Sequence, residues 1–252
     1  MAFEEIPLDN LDKLTLITRL ICYPQGNFSC LKKRIIELKL LGVKSFLKGD
    51  KKIIDNFPIL GKGTTSIVLK GKYVTDKIVT IKIRRLDSNR DSVIHEAKML
   101  KIANNVNVGP KLITFSKNCI VWEYIDGIPL NIFLGNKKNW DKLRYVLKNL
   151  LFQAYSLDKI GLTHLELSRP INHILITKDY KPVIIDFETA TLRSRKKNLS
   201  QILNFMVFRN NDIRTFLKLD FSLEYFRYLL QRYKEDPVGY FTDIIKIMRL
   251  ND

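Results

Sequence analysis

The sequence predicts an α+β protein of two lobes, a small antiparallel sheet followed by a helical lobe, with a small N-terminal helical module in front. Three observations predict it. From Pro58 to Arg85, PILGKGTTSIVLKGKYVTDKIVTIKIRR, apolar residues recur at alternate positions between turn residues, the pattern of an antiparallel meander. After about residue 139 the pattern becomes helical, led by the amphipathic run NWDKLRYVLKNLLFQAYSLDKIG that Gly161 closes. Strands first and helices later give separate sheet and helix layers. Ahead of both, helix-length periodicity marks a third segment, so the expected boundaries are 1–55, 56–127 and 128–252.

In chain order, Leu11 to Ile21 is amphipathic, and NFSCLKKRIIELKLLG has a polar start at Asn27 to Ser29, apolar Leu31, Ile35, Leu38 and Leu41 at helical spacing, and Gly42 as a stop. SFLKGDKKII reads as two short strands about a turn at Lys48, Gly49 and Asp50. Helices followed by a hairpin suggest a winged-helix-like module. The meander then gives way to a helix in DSVIHEAKMLKIANN and to a strand in CIVWEYIDG that ends at a linker. Beyond the long helix, HILITKDYKPVIID inserts one short hairpin into the helical lobe.

The chain carries a formal charge of +17, with knots at Lys32 to Arg34, at Lys137 and Lys138, and at Arg193 to Lys197. Such a surface attracts nucleotides, RNA or acidic proteins, or is simply a solvated lysine-rich face. No RNP motif or zinc-ligand spacing favours a specific nucleic-acid role, so RNA or ribosome contact stays a possibility. Charges interrupt every apolar stretch well short of the roughly 18 residues a spanning helix needs, and no signal peptide is read, so no membrane partner is expected. Cys22, Cys30 and Cys119 form no C-x-x-C pair and leave one unmatched in any disulfide scheme. That predicts buried thiols in a reducing cytoplasm.

Gly61, Lys62, Gly63, Thr64, Thr65, Ser66 and Val68 resemble the glycine-rich loop of protein kinases, with serine in the third glycine's place. Strand patterns on both sides argue against a dinucleotide-binding loop, which opens a helix, and Asn56 excludes a Walker A loop. Glycines there let backbone amides approach phosphates. VTIK, ending at Lys82, looks like the kinase lysine strand. Period-two geometry places Val79, Ile81 and Ile83 on one face and Thr80 with Lys82 on the other. Glu96 shares a helical stripe with Val93, Leu100 and Ala103, so it faces inward, where a carboxylate needs a cation; Lys82 is the natural partner. The alternative is a rim glutamate paired with another lysine.

THLELSRPINHILI follows the long helix as a kinase catalytic loop does, and the next hairpin delivers Asp186, which with Phe187 and Glu188 resembles D-F-G. Together with HLELSRP, IIDFETA, LGKGTTSIVLKG and IKIRRLDSNR, these residues resemble a predicted archaeal Ser/Thr protein kinase family, kin to the RIO and KEOPS-complex atypical kinases. The resemblance implies a minimal bilobal protein-kinase-like fold, ATP and Mg2+ as cofactors, and phosphoryl transfer to serine or threonine of a protein substrate, the chain itself included. Glu123 and Tyr124, at the linker, join Thr80, Lys82 and the glycine loop as the implied nucleotide site. Glu166 stands for the catalytic aspartate. Its extra methylene moves the carboxylate by roughly 1 to 1.5 Å unless the backbone retreats. Phosphoryl transfer relies more on positioning and charge neutralisation than on a strong base, so slow catalysis is expected.

For the metal, Asp186 with Asn172 is the expected ligand set. His173 aligns with the kinase asparagine, but Mg2+ binds imidazole poorly. Glu188 adds a second carboxylate, or else faces solvent beside Arg193. Arg169 stands near where kinases keep a γ-phosphate lysine. His164 reads as a structural residue of the loop. Two rival readings stay open: a nucleotide-binding pseudokinase or RNA-associated module, and a small-molecule kinase.

Overall fold

The protein, described from a computed structural model at residues 5–15, 17–49, 52–54 and 56–250, divides into two compact units. The first comprises Met1–Lys98 and Lys111–Tyr124; the second comprises Met99–Pro110 and Ile125–Asp252. The fold is mixed, with an antiparallel sheet in the first unit and mostly helix in the second.

The first unit opens with strand β1 (Glu5–Pro7), helices α1 (Leu11–Thr15), α2 (Thr18–Ile21) and α3 (Phe28–Leu40), and strands β2 (Val43–Leu47), β3 (Lys52–Ile54) and β4 (Phe57–Ile59). The meander follows as β5 (Gly61–Lys62), β6 (Ser66–Tyr73) and β7 (Ile78–Arg84), then the first turns of α4 (Ile94–Asn104), β8 (Leu112–Phe115) and β9 (Cys119–Glu123). Among the described residues seven strands form one antiparallel sheet in the order β1-β2-β6-β7-β9-β8, with β5 on β6. The expected hairpin across Lys48 to Asp50 is a correction: β2 pairs β1 and β6, while β3 pairs β4. Phe46, fully buried in β2, explains why that strand joins the main sheet and its core. Asp50 and Lys51 lie outside the described residues.

Asn27 caps α3 by accepting the Cys30 amide, and the helix buries Leu31, Ile35 and Leu38. It stops at Gly42, whose φ of +77° suits glycine and whose missing Cβ leaves room for the Tyr73 ring. The N-terminal helices close no core of their own. Their apolar faces share one cluster with Ile67, Leu69, Val79, Ile81 and Val121 on one face of the sheet. The opposite face keeps Thr80 and Lys82, as the alternation requires.

The cysteine expectation holds for Cys119 and is overturned for the other two. Cys22 and Cys30 are joined in a disulfide that staples α2 to α3, and Cys119 is a buried free thiol pushed up to about 12 by burial. An eight-residue separation limited the sequence argument, because only the packing of the end of α2 against the start of α3 brings the pair together. Closing so short a loop is worth about 2 to 3 kcal/mol in a chain-entropy account. Reductant is therefore expected to lower the unfolding midpoint of the wild type by several degrees and to leave Cys22→Ala/Cys30→Ala unchanged, which a thermal melt checks.

The second unit continues α4 and adds β10 (Gly127–Pro129), α5 (Leu130–Gly135), α6 (Leu143–Lys159), β11 (Ile174–Thr177) and β12 (Pro182–Ile184). It ends with α7 (Asn198–Asn204), a π-helical turn (Phe205–Arg209), α8 (Asn211–Phe216), α9 (Leu223–Glu235) and α10 (Pro237–Ile247). Strand β11 pairs both β10 and β12, so the expected hairpin gains a third strand. Helix α6 buries Val146, Leu147, Leu150, Leu151, Ala154 and Leu157 along one stripe, and Asp158 sits on the same stripe. No described helix is long and apolar enough to cross a membrane.

Candidate active site

In the first unit, β6 and β7 run in a register that sets Val68 opposite Lys82 and Lys70 opposite Thr80. Residues opposite one another in an antiparallel pair share a face. Thr80 and Lys82 are buried, and Lys82 Nζ lies 2.8 Å from Glu96 Oε1 and 2.7 Å from Oε2. Both side chains are under 10% exposed, at 7% and 5%. A charge pair so withdrawn from water is costly unless geometry and charge are matched, and here they are. Glu96 stands in the first turn of α4, where the helix dipole favours a carboxylate. Val93 and Ala97 pack it onto the sheet against Ile120.

The glycine-rich loop joins β5 to β6. Gly63 N donates to Ser66 O at 2.9 Å, closing the turn. Lys62, Gly63 and Thr64 are exposed, while Thr65 and Ser66 are buried. Arg85 braces the loop from below: its Nη1 donates to Gly63 O at 2.6 Å and its backbone N–H to Thr65 O at 2.8 Å. Tyr23 lies between two cations. Lys62 donates to its hydroxyl and stands 4.2 Å from the ring centroid, and the Arg85 guanidinium stands 4.7 Å from it. Tyr23 is a neighbour of the loop that the sequence pattern does not signal, since nothing local links it to a loop about forty residues later. At the linker, Glu123 is exposed with its N–H bonded to Lys111 O, and the Tyr124 ring receives Lys70 at 4.3 Å.

In the second unit the loop carrying Glu166 is held from below by a buried polar network. Asp158 accepts from Asn198 N at 2.7 Å, Asn198 Nδ2 at 2.8 Å, Leu199 N at 3.0 Å and the Tyr233 hydroxyl at 2.9 Å. Burial pushes its carboxyl above the usual range, against the pull of those hydrogen bonds. Asn198 Oδ1 then accepts the His164 N–H at 2.8 Å, and Gln201 donates to His164 O at 3.1 Å. The network fixes the loop's backbone just before Glu166.

His164 is fully buried, packs edge-on to Phe187, and shares a hydrogen bond of 3.1 Å between Nε2 and Ile185 O. Its Nδ1 accepts the Glu166 N–H at 3.4 Å. Donating at Nε2 and accepting at Nδ1 is what neutral imidazole does. Burial lowers its pKa below the ordinary value. A depressed histidine contributes stability that is present above about pH 6.5 and lost as pH falls through the folded value. The unfolding midpoint is therefore expected to drop on acidification below pH 6.5, and to drop less in His164→Asn; melts at pH 5 and 7.5 read this.

Glu166 is half-buried, and the Thr189 hydroxyl donates to its Oε2 at 3.0 Å. Asp186 adopts a left-handed backbone, φ +69°, uncommon for a non-glycine residue and a kind of strain that concentrates at functional sites. Gly109, at φ +81°, lets Phe187 approach where a Cβ would strike its ring at 2.9 Å. Ligand atoms of Glu166, His173 and Asp186 lie within 4.8 Å of one another, and a Glu188 oxygen lies within the same distance of one on Asp186. His173 Nδ1 is buried without a hydrogen bond, 3.8 Å from Asp186 Oδ2. Asn172 sits exposed at the end of a short 3-10 turn, and Arg169 is exposed with its backbone N–H on Glu166 O at 3.0 Å.

These residues fit a hard divalent cation through oxygen. Asp186 and Glu188 suit Mg2+, and His173, a poor Mg2+ ligand, stands 3.8 Å from Asp186 without a hydrogen bond to it.

Residues 67–207, more than half of the chain, match a family model described as the RIO domain. The match takes in Lys82, Glu96, Glu166 and Asp186; the turn of the glycine-rich loop lies just ahead of it. No curated protein matches the chain.

Proposed function

The chain belongs to the RIO domain family, an atypical kinase-like and ATP-binding family, and from that premise we propose that it transfers the γ-phosphoryl group of ATP to serine or threonine hydroxyls of a protein, itself included. The buried Lys82–Glu96 pair carries this reading. A cation held that firmly, on the sheet face away from the apolar core, is arranged to meet the α and β phosphates. The glycine-rich turn offers backbone amides without intervening side chains. In the second unit, Asp186 and Glu188 would hold Mg2+, which supplies charge neutralisation on the phosphates. Glu166 orients the acceptor hydroxyl and takes its proton as the oxygen bonds to phosphorus and the bond to the β,γ-bridging oxygen breaks, releasing ADP. Arg169 stands on the same loop with a guanidinium able to neutralise the transferring group. ATP as donor implies a cytoplasmic location, where a Cys22–Cys30 bond is unusual outside hyperthermophiles.

Incubation with γ-labelled ATP and Mg2+ tests the reading. Wild-type protein is expected to become labelled, and Asp186→Ala is expected to lose the label while keeping its fold. Tight ATP binding by the wild type without any transfer would favour a nucleotide-binding pseudokinase instead.

A further inference from the structure

We infer that a basic cavity in the second unit docks the acceptor polypeptide through a phosphorylated side chain, so that the protein modifies hydroxyls close to an existing phosphate. This rests on the kinase reading above and names its substrate class. The cavity measures about 890 Å³. Arg195, Lys196 and Lys197 line it from the segment before α7, Arg209 from the π-helical turn, and Lys234 from α9. Five cations drawn from three separate parts of the chain face one space, and among the described residues no carboxylate lines it. Ser200 also lines it, only 5% exposed, with a hydroxyl that has no hydrogen-bond partner. Buried hydroxyls normally find one.

The cavity adjoins the catalytic loop. Leu165 and Ser168, on either side of Glu166 in sequence, are part of its wall. Arg209 donates to Ser168 O at 3.2 Å, and Gln201, another wall residue, holds His164 O. An anion seated here thus lies against the stretch of backbone that presents Glu166. A phosphate ester carries close to two negative charges and three acceptor oxygens, matching guanidinium forks better than a lone carboxylate does. The shape separates peptide from RNA. A single-stranded polyanion calls for a long basic groove with several stacking platforms. Here one partly open cavity, of the size that holds a small ligand, carries a single aromatic residue, Phe208.

The test is fluorescence anisotropy on the full chain with a peptide pool degenerate except for one central phosphoserine and lacking other hydroxyl residues, against its unphosphorylated twin. The phosphorylated pool is expected to bind at least tenfold tighter. Arg209→Ala/Lys234→Ala and, separately, the loop variant Arg195→Glu are expected to erase that preference with the Kd for ATP unchanged. Equal binding of the two pools overturns the inference. So does a preference that all variants retain, or binding of a 20-nucleotide RNA that these variants lose while neither pool binds. Self-labelling with γ-labelled ATP is measured on the same preparations. Labelling without phosphopeptide preference sinks this inference alone; preference without labelling sinks the kinase reading and with it the claim about nearby hydroxyls, leaving the cavity as a phosphopeptide-binding site only.

Discussion

Lys82→Met is expected to reduce phosphoryl transfer by at least about a hundredfold and, separately, to destabilise the first unit. The two effects have different causes and can be pulled apart. Transfer falls because an ammonium aimed at phosphate in a site shielded from water is worth far more than the same charge in solvent. Stability falls because Glu96, 5% exposed, keeps its carboxylate after its cation has gone. Breaking one side of such a pair costs about 3 to 5 kcal/mol, whereas replacing both partners with apolar groups is often neutral. Lys82→Met/Glu96→Leu is therefore expected to unfold at higher denaturant than Lys82→Met while remaining equally inactive. Chemical denaturation with the single, the other single (Glu96→Leu) and the double variant measures the coupling. A double variant no more stable than Lys82→Met would mean that the pair is not the buried unit described above.

That pair was legible because two periodicities intersect. Period two in VTIK put Lys82 off the core face, and helical spacing put Glu96 inward, which favoured pairing the two over a rim glutamate with another lysine, and the structure has the pair. The same pattern marks Asp158. Spaced with Leu151 and Ala154 on the stripe of α6, its carboxylate had to meet donors, and those turn out to be Asn198, Leu199 and Tyr233. Other features had no local signal. The edge pairing of β2 with β6 depends on Phe46 finding the core, a tertiary choice that overrode a plausible turn at Lys48 to Asp50. The Cys22–Cys30 bond follows from how the end of α2 packs against the start of α3. Ligand chemistry argues against His173 as a Mg2+ ligand and says nothing else about where its ring goes. The ring stands beside Asp186.

Glu166→Gln is expected to slow transfer by about a hundredfold to ten-thousandfold, the range for removing a positioned general base, with the KM for ATP unchanged. The geometry also says what Glu166→Asp should do. The Glu166 backbone is held on both sides, its N–H on His164 Nδ1 and its carbonyl under the Arg169 N–H, while Thr189 fixes Oε2 at 3.0 Å. A backbone held this way resists advancing to compensate for a shorter side chain. The aspartate carboxylate would stop about 1 Å short of Thr189 and of the acceptor hydroxyl, a displacement able to cost about a hundredfold. Glutamate is then expected to outperform aspartate at this position. Thr189→Val, which keeps the carboxylate and frees only its orientation, is expected to fall between wild type and Glu166→Asp. Steady-state rates for the three variants at saturating ATP decide it. If Glu166→Gln runs at the wild-type rate, the carboxylate takes no proton. If Glu166→Asp runs faster than wild type, the glutamate is a handicap the loop merely tolerates.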